Sequence, residues 1–398
     1  MPLLLRHRAV QAFSPDAQIS RPGRVLSVLA ALIFVAVAVP IALGQADQAL
    51  ELIQQGKFHE AELVLRNLIR QHPKNASLRT ELGIALAQQN QLAAAVNEYH
   101  ASLAINPHQA DVQMYLGLAE FKQGHFKEAI PAFKVAKRQL PRDPRSTLLL
   151  GMSYFGLRQY ADAVPYLQSA TSSDPNNIEL HNVLAQSCMW SRQFECAMNE
   201  FRSILAVNPE AVQAHMLMAQ ALDATGRTDE AITDLESIRA NVTNEPLFHF
   251  ELGYLYYKKT DYANAVPELQ LELKNNPGYA QAYYYLGDIA LKQSDQATAE
   301  PLLKKAIALQ SDLRGAYVDL GVIYADEKKN QEALAAFKRA VELDPTQPDA
   351  HYRLGRLYMA LGQKQQAQIE FEKTKNLHSK VEESLIEKVS GEPSTSPK

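Results

Sequence analysis

Residues 110–141 read ADVQMYLGLAEFKQGHFKEAIPAFKVAKRQLP. Two amphipathic stretches share this segment. Met114, Leu118 and Phe121 recur along the first, and Ala129, Phe133 and Ala136 along the second. Apolar residues at such intervals line one face of a helix. Gln123-Gly124-His125 divides the two stretches. Glycine suits a helix end there, because it enters the left-handed region without a Cβ clash. Pro141 closes the second stretch, since proline cannot continue the hydrogen-bond ladder. The segment reads as helix, turn, helix.

The same pattern extends in both directions. Pro73, Pro107, Pro141, Pro175 and Pro209 stand 34 residues apart, and Pro277 and Pro345 keep the register. An alanine column is stricter: Ala61, Ala95, Ala129, Ala163, Ala197, Ala231, Ala265, Ala299, Ala333 and Ala367. A small-residue column runs through Gly83, Gly117, Gly151, Gly253, Gly287, Gly321 and Gly355, with Ala49, Ala185 and Ala219 at the remaining places. A large apolar column includes Leu65, Tyr99, Phe133, Phe201 and Phe337. Small residues let two backbones approach, and the large residue fills the groove above them. Ten repeats of 34 residues, starting at 42, 76, 110, 144, 178, 212, 246, 280, 314 and 348, fill residues 42–381 without insertion.

These columns resemble the tetratricopeptide repeat, a helical hairpin of this period. The resemblance implies an all-α fold: a right-handed superhelical solenoid of antiparallel helix pairs. It also implies a concave wall made by the first helix of each pair. Carried over, the wall positions in the earlier repeats are Met114, Leu118, Phe121, Met152, Phe155 and Met189. In the later repeats they are Met216, Phe250, Tyr254, Tyr257, Tyr284 and Tyr352. Trp190 joins them as the strongest partner contact by residue type. About half of these side chains are expected to pack between repeats instead. The family's clamp for a peptide carboxylate needs Lys and Asn where Met114, Leu118, Leu148 and Met152 stand here, so that mode is not expected.

Val25 to Gly44 is an uncharged apolar run preceded by Arg6, Arg8, Arg21 and Arg24. This is the layout of a signal peptide, with residues 1–24 as basic n-region and Ala42 and Gly44 before a cut. The run is also long enough to be an uncleaved membrane anchor. On either reading the repeats are exported, to a bacterial periplasm or outside the membrane that anchors them.

At the other end, Ser379-Lys380-Val381-Glu382 forms a capping box, predicting a separate capping helix over 380–389. Residues 390–398, SGEPSTSPK, read as a disordered tail. Pro131, Pro165, Pro267 and Pro301 fall near the start of second helices, where a first turn tolerates proline; if the helix begins a few residues earlier, each costs a backbone bond and alters the superhelical curvature.

Composition narrows the function. A net charge of −4 provides no basic field for nucleic acid. No P-loop, G-x-S-x-G or H-E-x-x-H sequence is present, and the 11 histidines read as scattered. No catalytic, metal or cofactor site is expected. Cys188 and Cys196 lie on opposite arms of one hairpin, and export permits a disulfide between them, although they align imperfectly across the turn and Cys188 sits where a large core residue is usual. The expected function is an exported scaffold that binds apolar or amphipathic segments of other proteins. The alternative is a structural component that self-associates or is tethered to the membrane by its N-terminal segment.

Overall fold

The computed structural model describes residues 42–242 and 245–390, with side chains over 46–242 and 245–379. Residues 1–41, which hold nearly all of the apolar N-terminal run, and 391–398 of the tail lie outside the described residues. All regular structure among the described residues is helical.

The chain divides into two compact units, one ending at Gln139 and one beginning at Leu140. In the first unit, α1 (Ala42–Gln54) pairs with α2 (Phe58–Gln71), α3 (Ala76–Gln88) with α4 (Leu92–Ile105), and α5 (Ala110–Lys122) with α6 (Phe126–Gln139). The second unit opens with α7 (Pro144–Gly156), α8 (Tyr160–Ser173), α9 (Ile178–Trp190), α10 (Phe194–Val207), α11 (Val212–Ala224) and α12 (Thr228–Ile238). After a 3-10 turn at Arg239–Asn241 come α13 (Phe248–Lys258), α14 (Tyr262–Asn275), α15 (Ala280–Lys292) and α16 (Gln296–Leu309). The unit ends with α17 (Arg314–Asp326), α18 (Asn330–Leu343), α19 (Pro348–Ala360) and α20 (Lys364–Ser390). Within each unit every helix packs on the next in sequence.

The columns explain the packing. All ten members of the alanine column are fully buried, at 0% exposure. They sit where two backbones come closest. The small and large columns interlock across each hairpin. A Cβ added at Gly117 would stand 2.6 Å from the Phe133 ring, and one at Gly321 would stand 2.5 Å from Phe337. Each ring therefore lies on the bare backbone of the partner helix.

The turns between paired helices are equally regular. His125 N donates to Glu120 O (3.0 Å) and Gly124 N to Phe121 O (2.9 Å), which closes the carbonyls at the end of α5. This geometry needs one left-handed residue per hairpin. Gly56, Gly124, Gly226 and Gly362 supply it in four repeats, at φ 74–82°. Asn90, Arg158, Arg192, Thr260, Ser294 and Lys328 hold it in the other six, at φ 58–64°. These ten residues form a further column at the repeat period.

Two local expectations are corrected. Pro131, Pro165, Pro267 and Pro301 each lie at the sixth residue of α6, α8, α14 and α16. That is beyond the first turn, so each removes one ladder bond. The helix starts early because only one residue separates it from the left-handed turn residue. Secondly, α20 runs unbroken from Lys364 to Ser390, so no separate capping helix begins at 380. Nothing in the sequence between Lys364 and Ser379 breaks a helix, and the ladder simply continues.

One helix start is irregular. α13 begins two residues late, after Leu247 adopts φ 68°. The Phe250 N–H near this start donates to the Glu272 carboxylate of α14 at 3.4 Å. Glu272 is 1% exposed and occupies a register that is apolar or small in most repeats. A carboxylate at a helix N-terminus satisfies an orphan donor and opposes the helix dipole.

Candidate functional site

The first helices of the repeats carry the expected wall residues, and the structure sorts them by accessibility. In the first compact unit Met114 is buried, while Leu118 and Phe121 are half-buried. Phe121 meets Phe126 edge-on at 5.2 Å between ring centroids. In the second unit Met189, Met216 and Phe250 are buried and serve the core. The expectation of open contact at Met114, Met189, Met216 and Phe250 is thus corrected: neighbouring helices cover them.

Two aromatic patches in the second unit are half-buried rather than fully covered. Phe155 packs edge-on against Tyr160 (5.7 Å), and Tyr160 stacks on Trp190 (6.0 Å), with Met152 half-buried on the same helix as Phe155. Tyr160 begins a second helix and was not among the expected wall residues. The other patch joins α13 and α15. Tyr257 and Tyr285 lie 4.8 Å apart, Tyr254 and Tyr285 5.3 Å, and Tyr284 and Tyr285 5.0 Å. Buried Phe250 supports them through Tyr254 and Tyr285. Tyr352, in the last repeat, is 48% exposed.

Polar groups thread the tyrosine patch. Tyr257 Oη donates to Asp288 Oδ2 at 2.6 Å. Lys292 Nζ lies 2.6 Å from the same hydroxyl, pairs with Asp288, and stands 4.6 Å over the Tyr257 ring. Lys258 pairs with Asp223 of α11, and Gln220 Nε2 donates to Glu251 at 2.8 Å. Burial, reinforced by Asp223 and Glu251, pushes the Tyr254 hydroxyl up to about 12. Burial also raises Tyr257, Tyr284 and Tyr285. These phenols therefore stay neutral near pH 7 and offer hydrogen bonds as well as ring faces. Asp319 is raised to about 7, first by burial and then by Asp288. The arrangement presents rigid aromatic area with a polar handle on most rings, the surface chemistry favoured in protein contacts. Among the described residues no group of three or more His, Cys, Asp or Glu is placed to hold a metal ion.

Family models described as "Tetratricopeptide repeat" match residues 46–107, 82–144, 144–177, 191–249, 250–314 and 349–380, and one described as "TPR repeat" matches 321–362. The chain belongs to the tetratricopeptide-repeat family. No curated protein matches the sequence. Among solved structures, "Structure of Naa15/Naa10 bound to HypK-THB" aligns over 84% of this chain at 14% identity and TM-score 0.51. This chain spans 63% of the length of that one. The C-terminal part of a repeat-containing protein from Cytophaga hutchinsonii aligns over 60% of this chain and 98% of its own, at 20% identity and TM-score 0.48. MamA residues 41 to the end, from Desulfovibrio magneticus RS-1, covers 44% of this chain and 99% of its own, at 22% identity and TM-score 0.40. At these identities the likeness is one of fold.

The tetratricopeptide register also reveals what the sequence reading missed. The histidines are not all scattered. His181, His215, His249 and His351 occupy one column. Each ring Nδ1 meets a carboxylate 19 residues on, in the second helix of its own repeat: Glu200, Asp234, Glu268 and Glu370. Arg79 takes the same place in the second repeat and bonds Glu98. Aligning histidines to the repeat period would have exposed the column. Their partners lie across the turn, where helical spacing gives no signal.

Cys188 of α9 and Cys196 of α10 are joined by a disulfide, with Cα atoms 5.8 Å apart. The closed loop contains Trp190, so the bond pins the hairpin end that carries this tetratricopeptide protein's single tryptophan.

Proposed function

We propose that this protein is an extracytoplasmic adaptor, bacterial and periplasmic, that gathers partner proteins during envelope assembly, secretion or polysaccharide export. A tetratricopeptide array is a protein-interaction scaffold, and its repeats account for nearly the whole chain. The observation that carries the reading is the pair of partly exposed aromatic patches in the second unit, Phe155–Tyr160–Trp190 and Tyr254–Tyr257–Tyr284–Tyr285. Clustered aromatics on rigid helices give large contact area at small entropic cost, and suit an apolar or amphipathic segment. The apolar run Val25–Gly44 behind four arginines supports export, by cleavage or by anchoring. The Cys188–Cys196 disulfide fits an oxidising compartment.

A second reading is self-association through the last repeat, where Tyr352, Met359 and Ile369 remain 47–48% exposed.

In-cell photo-crosslinking tests the adaptor reading, with the probe at Tyr257 or Phe155 and a control at exposed Lys304 of α16. Capture of a distinct protein from the first two sites and not the third supports it. Crosslinks only to a second copy, or equal capture from Lys304, would replace it with the structural reading.

A further inference from the structure

Arg79 shows what its column does. Its Nη1 donates to Glu98 at 3.0 Å, and its Nη2 donates to the Pro73 carbonyl, six residues back, at 3.4 Å. Three parts of the chain are tied by one side chain: the first helix, the second helix of the same repeat, and the turn arriving from the preceding repeat. Arginine has only donors and stays charged. Both of its partners here are acceptors.

His181, His215 and His351 stand at the same place and face the same two acceptors. His215 Nδ1 lies 3.0 Å from Asp234, and its Nε2 lies 3.0 Å from the Pro209 carbonyl. His181 Nδ1 bonds Glu200 while Nε2 lies 3.0 Å from Pro175 O. His351 Nδ1 bonds Glu370 while Nε2 lies 3.2 Å from Pro345 O. A neutral imidazole carries one N–H, so one of its nitrogens would turn a lone pair toward an oxygen lone pair. Only the imidazolium, with two N–H groups, satisfies both neighbours.

We propose that His181 and His215 are held as imidazolium and act as proton-dependent clasps, each fixing its repeat to the turn from the repeat before. The charged groups facing them agree. His181 looks on Glu200 and Asp174, and His215 on Asp234. Burial works against the charge at His181, and the Glu200 and Pro175 contacts outweigh it, leaving the pKa above its ordinary value. At His215 the Asp234 bond raises the pKa, burial opposes it, and the Pro209 carbonyl adds to the rise. A group whose folded pKa is raised stabilises fully below its unfolded value, about 6.5 for histidine. That contribution is lost as pH rises through the folded value. The clasped repeats are therefore tightest in mild acid and loosen in alkali, while the Arg79 clasp holds throughout. The device depends on the repeat geometry and not on any partner.

The test is hydrogen exchange of the full chain at pH 6 and pH 9, corrected for intrinsic rate, read over residues 174–181 and 208–215. Wild-type protection there should fall by about tenfold at pH 9, the worth of a charge-assisted hydrogen bond, relative to residues 73–79. His181→Arg and His215→Arg should keep protection at both pH values. His181→Gln and His215→Gln should lack it at both. Ring-nitrogen NMR of the wild type is the second measurement, and it decides alone where a variant fails to fold. Two protonated nitrogens per clasp histidine at pH 6 support the proposal. A neutral tautomer at pH 6, or protection that does not change with pH, overturns it.

Discussion

At the residue scale the turn column is the most demanding feature of the chain. Each hairpin needs one left-handed residue, and six repeats fill that place with a side chain. Thr260 is the least suited of them, because a β-branched residue at φ 60° crowds its own carbonyl. We predict that Thr260→Gly stabilises the α13–α14 hairpin by about 1 kcal/mol, less the small entropy that glycine adds to the unfolded chain. Slower exchange of the α13 and α14 amides would show it, and faster exchange would refute the strain argument. The alanine column shows the opposite case, with a residue kept because nothing larger fits. Its spacing alone made it legible. The turn column was half legible, since glycine marks only four of its members. The other six carry no compositional sign, and only the backbone angle reveals them.

At the scale of elements, the hairpin of α9 and α10 carries a constraint that the others lack. Its disulfide closes a loop with a sequence separation of 8 residues. Reduction should lower that hairpin's stability by about 2.5 kcal/mol, by the loop-entropy relation. Trp190 is the only tryptophan, so fluorescence reports this hairpin alone. We expect a red shift under reductant as the Tyr160 stack loosens, and none in a Cys188→Ala, Cys196→Ala variant on the same addition. An unchanged wild-type spectrum would mean that packing alone holds the hairpin end. Element pairing also explains the misplaced wall residues. Met216 and Phe250 recur at the same register as Tyr284 and Tyr352, and sequence gives all four the same standing. Their burial differs because each is covered, or not, by side chains of the adjoining repeat.

At the scale of the molecule, a repeat array distributes its stability through neighbour contacts rather than one central core. Leu354 of α19 is 4% exposed and packs with Ala333, Phe337 and Leu357 across the last two repeats. Leu354→Ala should cost about 3 kcal/mol. Faster exchange is expected in α17–α20, with little change at α7–α9. Equal loss of protection throughout the second unit would show a single cooperative block and contradict the nearest-neighbour picture. The histidine clasps belong to the same picture, since each acts on one junction and leaves distant repeats untouched.

What the sequence determined by itself was the period, the helical hairpin, the family and the list of core columns. Those follow from local chemistry: helix spacing, proline as a stop, and small residues where backbones meet. Tertiary structure alone decided which first-helix residues are open. It also decided that four histidines reach carboxylates 19 residues away, and that Glu272 caps the late start of α13. These facts depend on side chains meeting across turns and between repeats. A linear pattern records spacing along one helix, whereas burial and ion pairing are settled by whatever the next helix brings against it.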